Sequence, residues 1–114
     1  MIRVYGIRQC DTLKKALRWL DAQQIPYVYH DYRKDGLSRA LLQEFVDALG
    51  WEALFNKRGT TYRQLDEATQ QALDAQLAFE LMLAQPAIIK RPLLLKDGHY
   101  TLGFSQAQYH SLFA

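Results

Sequence analysis

The 114 residues, 49% hydrophobic and 23% charged, suffice for one hydrophobic core and not for two, so a single domain over residues 1–114 is expected and disorder or a fibrous structure is not. No apolar run reaches the roughly 20 residues that span a bilayer, and Met1-Ile2-Arg3-Val4-Tyr5 lacks the apolar stretch and cleavage site of a secretory signal, which leads us to expect a cytoplasmic chain without a membrane partner. The net charge of +2 is dispersed rather than gathered into a basic block, which argues against direct nucleic-acid contact and leaves at most a small anionic ligand.

Ile2 to Tyr5 alternates apolar with polar or amphipathic residues and is cut off by Gly6, the pattern of a short strand ending in a tight loop. Leu13, Ala16, Leu17 and Leu20 recur at helical spacing, so a helix is expected over 11–24. Ile25-Pro26 ends it. Tyr27-Val28-Tyr29-His30 then has the aromatic and β-branched content of a second strand, giving a parallel βαβ opening. After Asp35-Gly36, Ser38 suits the N-cap of a helix whose apolar face is Leu41, Leu42, Phe45, Val46 and Leu49, closed by Gly50. Residues 56–61, Asn-Lys-Arg-Gly-Thr-Thr, show no periodicity and read as a loop. Helical spacing resumes over 62–84 through Leu65, Ala72, Leu73, Leu77 and Leu81, in one helix or two. Pro86 stops it. Leu93-Leu94-Leu95 and Tyr100-Thr101-Leu102 flank Asp97-Gly98 as a hairpin, and a last helix covers 105–113. An X-Pro bond at the start of a strand is the one place where a cis peptide is accessible at low cost, which singles out Pro92.

Cys10 is the only cysteine, so an internal disulfide is impossible and any thiol chemistry needs an outside partner. It falls between the first strand and the first helix. A thiolate at a helix N-terminus is stabilised by unpaired backbone N–H groups and the positive end of the macrodipole. Lys14 lies one turn on, Arg8 two residues before, and Thr12 offers a hydroxyl; Asp11 opposes them if it faces the sulfur. The alternative is that Cys10 is a small buried apolar residue, as free cysteines commonly are. His30, His99 and His110 have no metal-ligand spacing with one another or with Cys10, so no metal site is expected. Arg58 and Arg91 stand on irregular backbone, where guanidinium groups are available to carboxylates and oxyanions. No phosphate-binding glycine motif is present.

Taken in order, Tyr5-Gly6-Ile7-Arg8-Gln9-Cys10-Asp11-Thr12, Trp51-Glu52-Ala53-Leu54 with Asn56-Lys57-Arg58-Gly59-Thr60-Thr61, Ile88-Ile89-Lys90-Arg91-Pro92-Leu93 and Leu102-Gly103-Phe104-Ser105 resemble the arsenate reductase (ArsC) and Spx family, within it the small YffB-like members. The resemblance covers essentially the whole chain. It implies an α/β, thioredoxin-like fold with a mixed four-stranded sheet and a helical insertion, Cys10 as nucleophile and Pro92 as a cis-proline facing it. In arsenate reductases arginines hold the oxyanion, and glutathione with glutaredoxin regenerates the thiol; Arg58 and Arg91 match two of those arginines. Gly103-Phe104 stands where a third would follow the last strand. Spx implies instead a module that binds RNA polymerase and senses redox state through Cys-x-x-Cys, whose second position here is Leu13. The expected activity is therefore that of a monothiol, glutathione-dependent oxidoreductase with no bound cofactor, working as a monomer. Arg8, Thr12, Lys14, Arg58, Arg91 and Pro92 would bind substrate or glutathione. Arsenate reduction and a switchless polymerase-binding role are the alternatives.

Overall fold

The computed structural model describes all residues from 1 to 114. They divide into two compact units, one made of Met1–Asp35 with Arg91–Ala114 and the other of Gly36–Lys90.

The first unit is built on a four-stranded sheet of β1 (Ile2–Gly6), β2 (Tyr27–Asp31), β3 (Leu93–Lys96) and β4 (His99–Leu102) in the order β2-β1-β3-β4. β1 and β2 are parallel and joined through helix α1 (Asp11–Ala22), whereas β3 runs antiparallel to both β1 and β4. The expected βαβ opening, hairpin and mixed sheet are therefore all present, and the fold is thioredoxin-like. The period-2 pattern of β1 places Val4 beside Leu94 on one face. There Leu13, Ala16 and Leu20 of α1 and Tyr109 of the last helix bury them, all at 1% exposure or less. Trp19 and Phe104 meet the Tyr109 ring edge-on at 5.7 and 4.7 Å, geometries that add to area burial.

The first helix stops at Ala22, two residues earlier than its spacing suggests, because Gln24 takes a left-handed φ of 58° and Ile25 N–H turns back to the Leu20 carbonyl. β2 runs one residue further than expected, to Asp31.

In the second unit, helix α2 (Arg39–Leu49) is capped as expected: Leu41 N–H donates to Ser38 Oγ at 3.1 Å, and Gly50 ends it at φ 83°. The chain re-enters a helical turn at once, α3 (Trp51–Leu54), which the sequence pattern does not announce. The loop expected over 56–61 is shorter, since Thr60 opens α4 (Thr60–Arg63). The spacing over 62–84 is broken into the end of α4, α5 (Glu67–Gln71) and α6 (Ala75–Ala84). The breaks fall where aspartates cap. Thr69 N–H donates to Asp66 at 2.7 Å and Leu77 N–H to Asp74 at 2.8 Å, so each side chain satisfies an orphan donor and starts a new helix. Leu42, Phe45, Leu54, Ala78 and Met82 form its buried interior. A short 3₁₀ turn at Pro86–Ile88 brings Ile89 beside Phe55, with Asn56 N–H on the Ile88 carbonyl and Lys90 N–H on the Leu54 carbonyl, both at 2.8 Å. The final helix, α7 (Gln106–Leu112), belongs to the first unit and is capped by Ser105.

Candidate active site

Topology gathers the candidate residues of the first unit at one sheet end. Strand β1 leaves the sheet at Gly6, which pairs in register with Asp31 at the end of β2. Because β3 is antiparallel, its first residue, Leu93, lies opposite Tyr5, so the preceding Arg91-Pro92 sits at that same end. The Arg91–Pro92 peptide is cis. Gly103, leaving β4, donates its N–H to the Pro92 carbonyl at 2.9 Å. Gly6 lies close to both neighbours: a Cβ there would be 3.1 Å from Leu13 Cδ2, which would have to give by a few tenths of an ångström, and 3.7 Å from Arg91 Cβ.

Cys10 is the N-cap residue of α1, with extended backbone (φ −110°, ψ 119°); its carbonyl accepts the Lys14 N–H at 3.1 Å and its side chain caps nothing. The sulfur is thus uncommitted to the helix. The residue is partly buried and packs against the core around Val4 and Leu13. Arg8, Asp11, Thr12 and Lys14 are exposed. Leu13, at the second position of a would-be Cys-x-x-Cys pair, is a core residue at 1% exposure.

One residue of this end was not singled out by the sequence. Asp31 is only 7% exposed. Its Oδ1 accepts the N–H groups of Arg33 and Lys34 at 2.9 and 3.2 Å, and its Oδ2 the Tyr29 hydroxyl at 3.2 Å. Burial pushes its pKa up, but the Arg33, Lys34, Tyr29 and Arg8 hydrogen bonds outweigh burial and hold the carboxyl below its ordinary value. The same carboxylate and burial push the Tyr29 hydroxyl up to about 12, burial being the larger cause. Asp31 thereby ties the loop before Cys10 to the turn after β2. Asp-Tyr-Arg-Lys-Asp reads in sequence as a polar turn, and only strand pairing reveals that its first carboxylate is buried.

Arg91 is partly buried at the start of β3. Nearby, Tyr32 has its hydroxyl acidity suppressed chiefly by burial, with the Arg91 charge acting in the opposite direction. Arg58 belongs to the second unit and is exposed on a turn in which its N–H donates to Asn56 Oδ1 at 3.0 Å. There it lines a cavity of about 390 Å³ with Lys57, Lys90, Glu52, Trp51 and Phe55, three cations and one carboxylate over an aromatic wall. Phe104, one of the two residues in the place of a third arginine, packs on Tyr109, and Gly103 takes φ 81°. No group of three or more His, Cys, Asp or Glu side chains is arranged to hold a metal ion, and no helix is long and apolar enough to cross a membrane. His30 lies on the edge strand β2, its ring 5.2 Å from that of Tyr5.

The ArsC family model matches residues 5–112, from the end of β1 to the last helix. The chain belongs to the ArsC family. An uncharacterized protein of Haemophilus influenzae is 46% identical over 114 residues, the whole of both chains. The solved structure of the YffB (PA3664) protein superposes with a TM-score of 0.92 at 44% identity, covering all of both chains. The solution structure of an arsenate reductase (ArsC) related protein from Brucella melitensis gives 0.82 at 47% identity over 98% of this chain and 93% of that one. The ArsC-type assignment drawn from four short motifs thus holds over nearly the full length.

Proposed function

We propose that this ArsC-family protein is a glutathione-dependent monothiol oxidoreductase with Cys10 as its nucleophile. The observation that carries the reading is Cys10 at the start of α1 with a side chain free of any capping role, at the sheet end that also bears Arg91 and Pro92. The Cys10 thiolate attacks the glutathione sulfur of a mixed disulfide, forming a Cys10–glutathione disulfide while the other thiol leaves as its thiolate. A second glutathione thiolate then attacks that glutathione sulfur, releasing Cys10 and glutathione disulfide. In sum the glutathione mixed disulfide and one glutathione thiol give the free substrate thiol and glutathione disulfide, the added glutathione sulfur being oxidised as the substrate sulfur is reduced. With no second cysteine in the chain, the resolving thiol must come from solution, in a reducing compartment such as the cytoplasm.

Lys14 and the helix N-terminus stabilise the thiolate charge, Thr12 offers a hydroxyl donor, and Arg91 contacts an anionic group of the ligand. Arg58, with Lys57 and Lys90 beside it, offers a separate cationic cluster on the second unit. The test is glutathione-dependent reduction of bis(2-hydroxyethyl) disulfide: the wild type turns over and Cys10→Ser falls to the uncatalysed rate. Full activity in that variant removes the proposal. Arsenate reduction is the second reading, favoured by the family match; Gly103-Phe104 leaves a multiply charged oxyanion without one bidentate clamp. An arsenate- and glutathione-dependent assay showing no turnover excludes it.

A further inference from the structure

The loop before Cys10 and the turn after β2 border an open cavity of about 290 Å³ lined by Arg8, Gln9, Asp31, Arg33 and Lys34. Its chemistry is unbalanced. Arg8, Arg33 and Lys34 share the lining with one carboxylate, Asp31, which is occupied by the Arg33, Lys34 and Arg8 N–H groups. Arg8, Arg33 and Lys34 are exposed and none of them makes an ion pair; the protein's ion pairs are Arg39–Glu80 and Lys96–Asp97. The Arg33 guanidinium is held instead by the neutral Gln9 Oε1, 3.3 Å from Nη1. Asp31 is a positioning residue here: buried, it aligns both walls of the cavity and leaves the guanidinium and ammonium groups for something else.

We infer that this cavity receives the carboxylate end of the thiol peptide that bonds to Cys10, with Arg33 and Lys34 as specificity-determining residues. The reach agrees. Arg8 and Cys10 are two residues apart, at most about 7.6 Å between Cα atoms, and a cysteinyl-glycine carboxylate extends about 7 Å from its cysteine. A guanidinium fork with a second cation beside it suits a carboxylate better than a neutral group. The inference rests on the monothiol reading above and adds which thiols that reaction prefers: peptide thiols ending in a carboxylate next to cysteine, over neutral thiols.

The reaction that tests it is exchange between Cys10 and a disulfide. The Cys10 thiolate attacks one sulfur, the new S–S bond forms as the old one breaks, Cys10 is oxidised, and the other half leaves reduced as a thiolate. The measurement is the ratio of the rate with glutathione disulfide to the rate with bis(2-hydroxyethyl) disulfide. In the wild type this ratio is expected to fall as salt is raised from 0.05 to 0.5 M, as screening predicts. Arg33→Glu combined with Lys34→Glu is expected to lower it at least tenfold, and Arg33→Ala to lower it less, in the same direction. A ratio insensitive to salt and to both variants, while Cys10 still reacts, overturns the cavity assignment and leaves the monothiol reading standing. No mixed disulfide on Cys10 with either reagent overturns both.

Discussion

The two units of this protein reach their structures by opposite routes. The first assembles segments distant in sequence, 1–35 and 91–114, around a sheet whose register brings β1, β2 and β3 to a common end. The second is one continuous stretch of helices, three of them begun by side-chain caps at Ser38, Asp66 and Asp74. Long-range pairing fixes the surroundings of Cys10 in the first, whereas the second relies on local capping and a small buried interior. Substitutions should therefore act differently in the two.

The largest effect on function is expected from Cys10→Ser, which should abolish glutathione-dependent turnover while leaving the circular dichroism spectrum unchanged, since the side chain caps nothing. The largest effect on stability should come from the interior of the first unit. Leu94→Ala removes a side chain at 0% exposure and is expected to cost about 3 kcal/mol in urea unfolding. In the second unit, Asp74→Ala should cost about 1 kcal/mol, the value of one N-cap, and reduce helicity. A local cap that proved as costly as Leu94 would erase the contrast.

A third difference concerns acid. Because the Asp31 carboxyl is held below its ordinary value of 3.8, its contribution to stability is complete above that pH and is lost as pH falls from there through the folded-state value. Asp31→Asn should thus lower the melting temperature at pH 7, and the gap to wild type should narrow below about pH 4. A gap that stays constant down to pH 2 would show that the carboxylate charge is not what matters. The smallest expected effect is that of Tyr109→Phe. The Tyr109 hydroxyl is buried and makes no hydrogen bond within the protein, so its removal should leave stability within about 1 kcal/mol of wild type or raise it.

Much of the first unit was legible in the sequence because its elements are periodic: Val4 and Leu94 face the stripe of Leu13, Ala16 and Leu20, and Asp97-Gly98 marks the hairpin. The second unit was less so. Leu65, Leu73 and Leu81 keep helical spacing across two breaks, and the breaks are visible only through Asp66 and Asp74, whose capping depends on backbone geometry that periodicity does not encode. For the candidate site, Cys10, Arg91 and Pro92 could be singled out from local signals and motif resemblance. Asp31 could not, because its burial follows from strand pairing with Gly6 and from backbone N–H groups of the following turn and of the distant Arg8 converging on one carboxylate.

The central claim is that Cys10 carries glutathione covalently during the reaction, and the most direct test is the intact mass of the protein after brief exposure to glutathione disulfide followed by acid quenching. The account predicts one glutathione adduct, located on the peptide containing Cys10 and removed by excess reduced glutathione. An unmodified protein under conditions in which a neutral alkylating reagent labels Cys10 would contradict it.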